Sequence, residues 1–215
     1  MEPIRRHRAE PLSPSRGGRR DSGAEEAAPV YPPREDTLLL ARFARVPPGT
    51  RVLEIGTGSG YVALTAARLG ARVVATDRNM LALQAVSQRA RSEGVPIDLV
   101  RTDLAHGLGR FHRVLANPPY LPTRVDERDP DPLHNLALDG GPDGCRVTAR
   151  IVEELHDHLV PDGCAFLVVS SLQQETGLTQ IRAGWFRSGG TVEVVDSRAF
   201  EGERLEVWKL SRGRG

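Results

Sequence analysis

"RVLEIGTGSGYVALTAARLGARVVATD" (Arg51–Asp77) is the stretch whose reading decides the fold. Arg51–Ile55 is a short apolar run of the kind that forms a buried strand. Gly56, Gly58 and Gly60 follow at every second position, so the backbone can turn tightly and a ligand can approach it closely. "YVALTAARLG" then reads as a helix stopped by Gly70, and "ARVVATD" as a second strand ending on Asp77.

The same grammar continues outward. "MLALQAVSQRARSEG" is a helix ending at Gly94, "IDLVRTD" a third strand ending on Asp103, and "FHRVLAN" a fourth ending on Asn117. "VTARIVEELHDHLV" is a helix, "GCAFLVVSS" a fifth strand, Thr176–Phe186 a helix, and "TVEVVD" and "LEVWKL" are two last strands. Upstream, Asp36 or Thr37 can cap a helix running to about Arg45. Strands alternate with helices, and the strands are continuous apolar runs. That combination describes an α/β chain with seven strands in a mostly parallel sheet and helices on both faces.

Length and composition narrow the possibilities. The 215 residues suit one catalytic-size domain, read as residues 30–215, behind an arginine-rich disordered tail at residues 1–29. The formal charge of +1 argues against a surface built to hold nucleic acid along its length. Cys145 and Cys164 form neither a disulfide framework nor a CxxC pair. No apolar run approaches the roughly 18 residues that span a membrane, and "MEPIRRHRAEP" has no apolar segment behind its arginines. A cytoplasmic protein without a membrane contact is the expectation. The histidines show no metal-ligand spacing, so no metal is expected, and "LHDH" (Leu155–His158) reads as a solvated helix face.

The glycine spacing indicates the ligand. A dinucleotide site needs GxGxxG to seat pyrophosphate on a helix N-terminus, but here Tyr61 stands where the third glycine would fall. Glu54 precedes the loop, and a carboxylate repels pyrophosphate while suiting a cationic amino group. "EIGTGSG" resembles the first motif of the class I S-adenosylmethionine-dependent methyltransferases, whose fold is Rossmann-like. The resemblance implies S-adenosyl-L-methionine as cofactor, held by Glu54, Gly56, Gly58 and Gly60. It implies further contacts from Asp77 to the ribose, with Arg78 beside it, and from Asp103 and Leu104 to the adenine. Taken singly, each is equally a turn glycine or a capping acid.

"VLANPPYLP" (Val114–Pro122) ends the fourth strand with two residues that lack a backbone donor, so pairing must stop there. "NPPY" (Asn117, Pro118, Pro119, Tyr120) resembles the motif of methyltransferases that modify a planar nitrogen. Such a nitrogen is a weak nucleophile with two N–H donors. The Asn117 side-chain oxygen and the Pro118 carbonyl can accept both, Pro119 stiffens the turn, and Tyr120 can pack on the flat target. A strand-terminating turn with a buried tyrosine is the structural alternative.

"VYPPREDTLLLARF" (Val30–Phe43) resembles the Y-x-P-x-E-D-T lead-in of the short branch of HemK-type protein glutamine methyltransferases, with Glu35, Asp36 and Thr37 carried over toward the cofactor's methionine end. "ALDGGPDGCRVTARIV" (Ala137–Val152) resembles that family's Gly-Gly loop and following helix. The family implies a release-factor substrate, methylated on a glutamine amide, and a small zinc-containing activator subunit as partner. Two other readings stay open: an RNA or DNA base methyltransferase acting on an exocyclic amine, and a non-catalytic binding module.

Overall fold

The centre of the sheet is set by two strands that are not neighbours in sequence. In the computed structural model, which describes residues 32–200 and 202–213, β1 (Arg51–Ile55) lies between β2 (Arg72–Asp77) and β4 (Phe111–Ala116), parallel to both. β3 (Ile97–Arg101) flanks β2, and β5 (Leu159–Ser170) flanks β4. β6 (Thr191–Phe200) and β7 (Glu203–Ser211) form an antiparallel hairpin whose second strand inserts against β5. The order is β3-β2-β1-β4-β5-β7-β6, with β7 the antiparallel member. This is a mostly parallel sheet, as expected from the strand pattern, in the Rossmann-like arrangement that the methyltransferase resemblance implies.

Both faces are covered, which explains the unbroken apolar runs. Leu53, Ile55, Val114, Ala165, Leu167 and Trp208 pack on one face with α5 (Arg146–His158) and α6 (Glu175–Arg187). Val52, Val73, Leu115, Phe166, Val168 and Val207 face the other, under α1 (Glu35–Ala41) and α2 (Tyr61–Arg68). α3 (Met80–Glu93) packs on β2 and β3, capped by Asn79 at its start and ended by Gly94. Fully burying one Leu or Ile in these layers is worth roughly 1.5–3 kcal/mol, so the two layers supply the driving force for closing the sheet.

Three expectations need correction. The first helix is capped by neither Asp36 nor Thr37: its N-cap is Arg34, without a side-chain bond. It also ends at Ala41, with one 3-10 turn (Arg42–Ala44) following. The "LHDH" segment is not a solvated face. His156 packs on Trp185 with the rings tilted and their centroids 4.3 Å apart and bonds Ser188, and His158 is buried with Nδ1 3.3 Å from the Gly109 carbonyl. β3 stops at Arg101, so Asp103 stands two residues beyond its strand. A short helix, α4 (Pro132–Leu138), capped by Asp131, also forms in a segment to which no element was assigned. The tail reading of residues 1–29, and Tyr31 of the lead-in, lie outside the described residues. No described helix is long and apolar enough to cross a membrane.

Gly60 closes the glycine loop at the N-cap of α2 with φ +74°. A Cβ there would lie 2.5 Å from a Val86 methyl. Gly60→Ala is therefore expected to combine left-handed strain of about 1–2 kcal/mol with overpacking of about 1–3 kcal/mol. Urea denaturation of the full chain measures this directly.

Candidate active site

β1 and β4 sit where the strand order reverses, and ligands of open α/β sheets bind in the crevice beyond the strand ends at that point. Ile55 pairs with Ala116, so the chain leaves the sheet as Gly56 on one strand and as Asn117 on its neighbour. The glycine loop and "NPPY" thus emerge side by side above a cleft of about 820 Å³.

Nearly all the residues expected at the site line this cleft. Thr37, Glu54, Gly56, Gly58, Asp77 and Arg78 form one part of its wall. Asp103, Leu104, Asn117, Pro118, Pro119 and Tyr120 form another. Asp36 lines it too, almost fully buried. Two expected residues stand apart: Gly60 lies behind the wall against Val86 of α3, and Glu35 is exposed on α1 outside the cleft lining. Among the described residues, no group of three or more His, Cys, Asp or Glu is arranged to hold a metal ion.

Glu54 is buried inside the turn it precedes. Its Oε2 accepts from Thr57 Oγ1 at 2.5 Å and from the Ala63 N–H of α2 at 3.0 Å. Burial pushes its carboxyl up to about 8, the Asp77 charge adding a little, while the Thr57 and Ala63 bonds oppose the rise. Asp77 organises the loop from the other side: it accepts from the Gly58 N–H at 2.9 Å and the Asn79 N–H at 2.8 Å.

Asp103 is held by Arg150 of α5, Nη2 lying 2.7 Å from Oδ2. That bond, against a smaller burial penalty, keeps the carboxyl below the usual carboxylate range. Leu104, buried beside it, adopts φ +52°. A branched aliphatic residue held there is a strained feature of the kind that clusters at ligand sites.

Asn117 carries the sharpest signal. Its Oδ1 is buried and has no hydrogen-bond partner among the described residues. An unsatisfied buried carbonyl costs on the order of 1–3 kcal/mol, and native structures hold few of them. The residue that carries this unused acceptor lines the cleft. Tyr120 lies beyond the two prolines with its hydroxyl 3.5 Å from Asp36 Oδ2, linking the motif to α1.

Sequence reading missed the far wall. α4 contributes Leu133, His134, Asn135 and Leu136 to the cleft, and Asp139 and Arg146 close it. The only hint was the Asp-Pro start "DPLHNL", which reads as turn chemistry as readily as a capped helix.

Comparisons with known proteins agree with this geometry. Residues 35–129 match the methyltransferase small domain family. A putative protein N5-glutamine methyltransferase of Methanocaldococcus jannaschii is 37% identical over 148 residues, covering 68% of this chain and 75% of that protein. A release factor glutamine methyltransferase of Deinococcus radiodurans is 38% identical over 165 residues, 71% of this chain. The match spans only 59% of that relative's length. Among solved structures, the E. cuniculi Mtq2–Trm112 complex, responsible for the methylation of the eRF1 translation termination factor, is similar. It aligns with a TM-score of 0.65 and 27% identity over 85% of this chain and 98% of that one. With its sheet order, its glycine loop and its "NPPY" turn on adjacent central strands, the chain belongs to the HemK-type protein N5-glutamine methyltransferase family, within the class I S-adenosylmethionine-dependent methyltransferases.

Proposed function

We propose that this chain methylates the side-chain amide of a glutamine, in the Gly-Gly-Gln loop of a translation release factor, with S-adenosyl-L-methionine as methyl donor. The observation that carries the reading is the buried, unpartnered Oδ1 of Asn117 at the open edge of the central strand pair. When bound, the cofactor supplies a methyl carbon on a good leaving group, so the protein's task is to aim a poor nucleophile.

Each residue then has a task. Asn117 Oδ1 and the Pro118 carbonyl accept the two N–H bonds of the target amide. Those bonds turn the nitrogen lone pair toward the methyl group and favour the more tetrahedral nitrogen of the transition state. Pro118 and Pro119 fix the carbonyl, and Tyr120, tied to Asp36, packs on the flat amide. A nitrogen–carbon bond forms as the carbon–sulfur bond breaks, and one proton leaves the nitrogen for solvent. Positioning of this kind supplies up to about 7–11 kcal/mol of barrier lowering.

On the cofactor side, Gly56 and Gly58 let the backbone approach the ligand, with Gly60 shaping the turn. Asp77, with Arg78 beside it, takes the ribose hydroxyls, and Asp103 and Leu104 the adenine. Thr37 and Glu54 serve the methionine end. The donor set suits the ligand, because a buried carboxyl held near 8 gains from a cation placed nearby. The Deinococcus relative named for release factors supports the substrate class. The complex of Mtq2 with Trm112 supports a partner subunit for this chain, and the family resemblance points to a small zinc-containing activator in that role. Translation termination would place the protein in the cytoplasm, and residues 1–29 would form a tail outside the catalytic domain at 30–215.

The base-modifying reading shares the "NPPY" chemistry, so labelled cofactor and a cell extract, with and without ribonuclease, discriminate the two. Label in a protein that survives ribonuclease is the expected result. Label lost with ribonuclease overturns the glutamine reading. Asn117→Ala is expected to lower kcat by about 10²–10³-fold, while calorimetry shows cofactor affinity within a few-fold of the parent.

Glu54 gives the pH dependence. Between about pH 4.5 and 8 the folded chain keeps a proton that the unfolded chain has lost, so stability falls as pH rises through that window. A cationic ligand favours the ionised carboxylate. Cofactor binding near pH 7 is therefore expected to release up to about one proton, read as a dependence of binding enthalpy on the buffer's ionisation enthalpy. Glu54→Gln should abolish that release and flatten the decline of stability.

A further inference from the structure

Asp139 is the one acidic residue of "ALDGG", and it is 6% exposed. Its Oδ1 accepts from the Gly141 N–H at 2.7 Å and lies 3.1 Å from Arg146 Nη2, and its Oδ2 meets Arg128 Nε at 3.0 Å. Arg146 also donates to the Asp139 carbonyl oxygen. Burial opposes ionisation, but the Gly141 N–H and the two guanidinium groups outweigh it and hold the carboxyl below the usual range. A charge this enclosed persists only because its partners are complete.

The backbone around Asp139 is stitched to the segment that leaves "NPPY". Leu121 and Asp139 form an isolated parallel bridge, with Leu121 N–H donating to Leu138 O and Gly140 N–H to Leu121 O. Thr123 N–H reaches Gly141 O at 2.8 Å. The end of the same loop presses on the motif itself: at Gly144, φ +74°, a Cβ would overlap the Tyr120 carbonyl oxygen. Gln173 locks that contact from behind, its Nε2 donating to Gly144 O at 2.9 Å. Tyr120 is thus held between α1 on one side and the Asp139–Gly144 loop on the other.

We infer that Asp139 is a positioning residue for methyl transfer: clamped by Arg128 and Arg146, it fixes the loop that backs Tyr120 and sets where the target amide sits against Asn117. The inference rests on the proposed role of Asn117 and Tyr120. It assigns Asp139 no contact with the reacting atoms. A small displacement of a positioning element is enough to slow such a reaction about 10²-fold, whereas the cofactor loop, anchored by Glu54 and Asp77, stays in place.

The test uses the full chain and two readouts. Asp139→Asn keeps an oxygen for Gly141 but removes the charge that holds both arginines. Hydrogen exchange over Tyr120–Thr123 is expected to quicken by about tenfold while exchange over Val52–Gly60 is unchanged. With a release factor carrying a Gly-Gly-Gln loop as acceptor, kcat should fall by about 30-fold or more, with the KM for cofactor within about threefold. Arg146→Ala, which removes one clamp from a half-exposed site, should show the same split at smaller size and decides the matter if Asp139→Asn does not fold. Unchanged exchange over Tyr120–Thr123, or a rate loss matched by an equal loss of cofactor binding, overturns the inference. A parent protein that methylates no glutamine would overturn the acceptor assignment instead, and the exchange measurement would still judge the coupling.

Discussion

The parallel pairing of β1 with β4, Ile55 opposite Ala116, is the constraint on which everything else in the molecule depends. Parallel neighbours point their carboxyl ends the same way, so the two loops that leave them must share one edge. One loop is glycine-rich and lets a ligand approach the backbone. The other begins with an amide and two prolines, which end the ladder and set the amide in the wall of the crevice. Had β1 and β4 been separated by another strand, about 4.8 Å of extra spacing would lie between donor and acceptor loops. A direct displacement cannot tolerate that gap.

Three buried carboxylates hold this edge, and they differ in how they are compensated. Asp139 has two guanidinium groups and an N–H, so it stays ionised and fixes structure. Asp36 takes a bond from the Thr37 N–H at 2.6 Å and reaches Tyr120, joining α1 to the motif. Glu54 has only two hydrogen bonds and no cation, so burial wins and its carboxyl is raised. The carboxylate whose ionisation is opposed by burial is the one on the cofactor side, beside the glycine loop. Asn117 Oδ1, also without a partner among the described residues, lines the same cleft on the side of the second loop. Arg113 Nε, Glu154 Oε2 and Arg182 Nε are likewise unpartnered but lie away from the cleft, so it is the placement of Glu54 and Asn117 in its wall that sets them apart.

This division explains which parts of the molecule could be read from sequence. β1 and the Ala165–Ser170 half of β5 were legible because a strand buried on both faces is mostly apolar. Edge strand β3 has no buried residue and was marked by its place between the Gly94 helix stop and Asp103. The loops after β1 and β4 carry residue types with narrow backbone uses. α4 was hidden: its seven residues include none that is buried, and "DPDPLHNL" is dense in turn formers. His156 was misread because its partners, Trp185 and Ser188, come from the next helix, and no local pattern announces them. The Arg128–Asp139–Arg146 clamp was invisible for the same reason, being assembled across a loop and two helices. Local rules identify the elements and the chemistry at strand ends. Side-chain pairing between distant segments emerges only from the fold.

The placement of charge also follows from the chemistry proposed. A sulfonium methyl group needs no strong base to be attacked, and an amide nitrogen gains more from oriented acceptors than from losing a proton early. Acceptors that are side-chain amides and backbone carbonyls do not titrate, so Asn117 and Pro118 present the same face to the target at any pH where the fold survives. The titrating group belongs to the cofactor side, in Glu54. The nitrogen's geometry is thereby insulated from pH, while the pocket that must first accept a cation is tuned by it. A site that works by aim has reason to keep its aiming groups neutral and to bury its charges, paired, in the walls behind them.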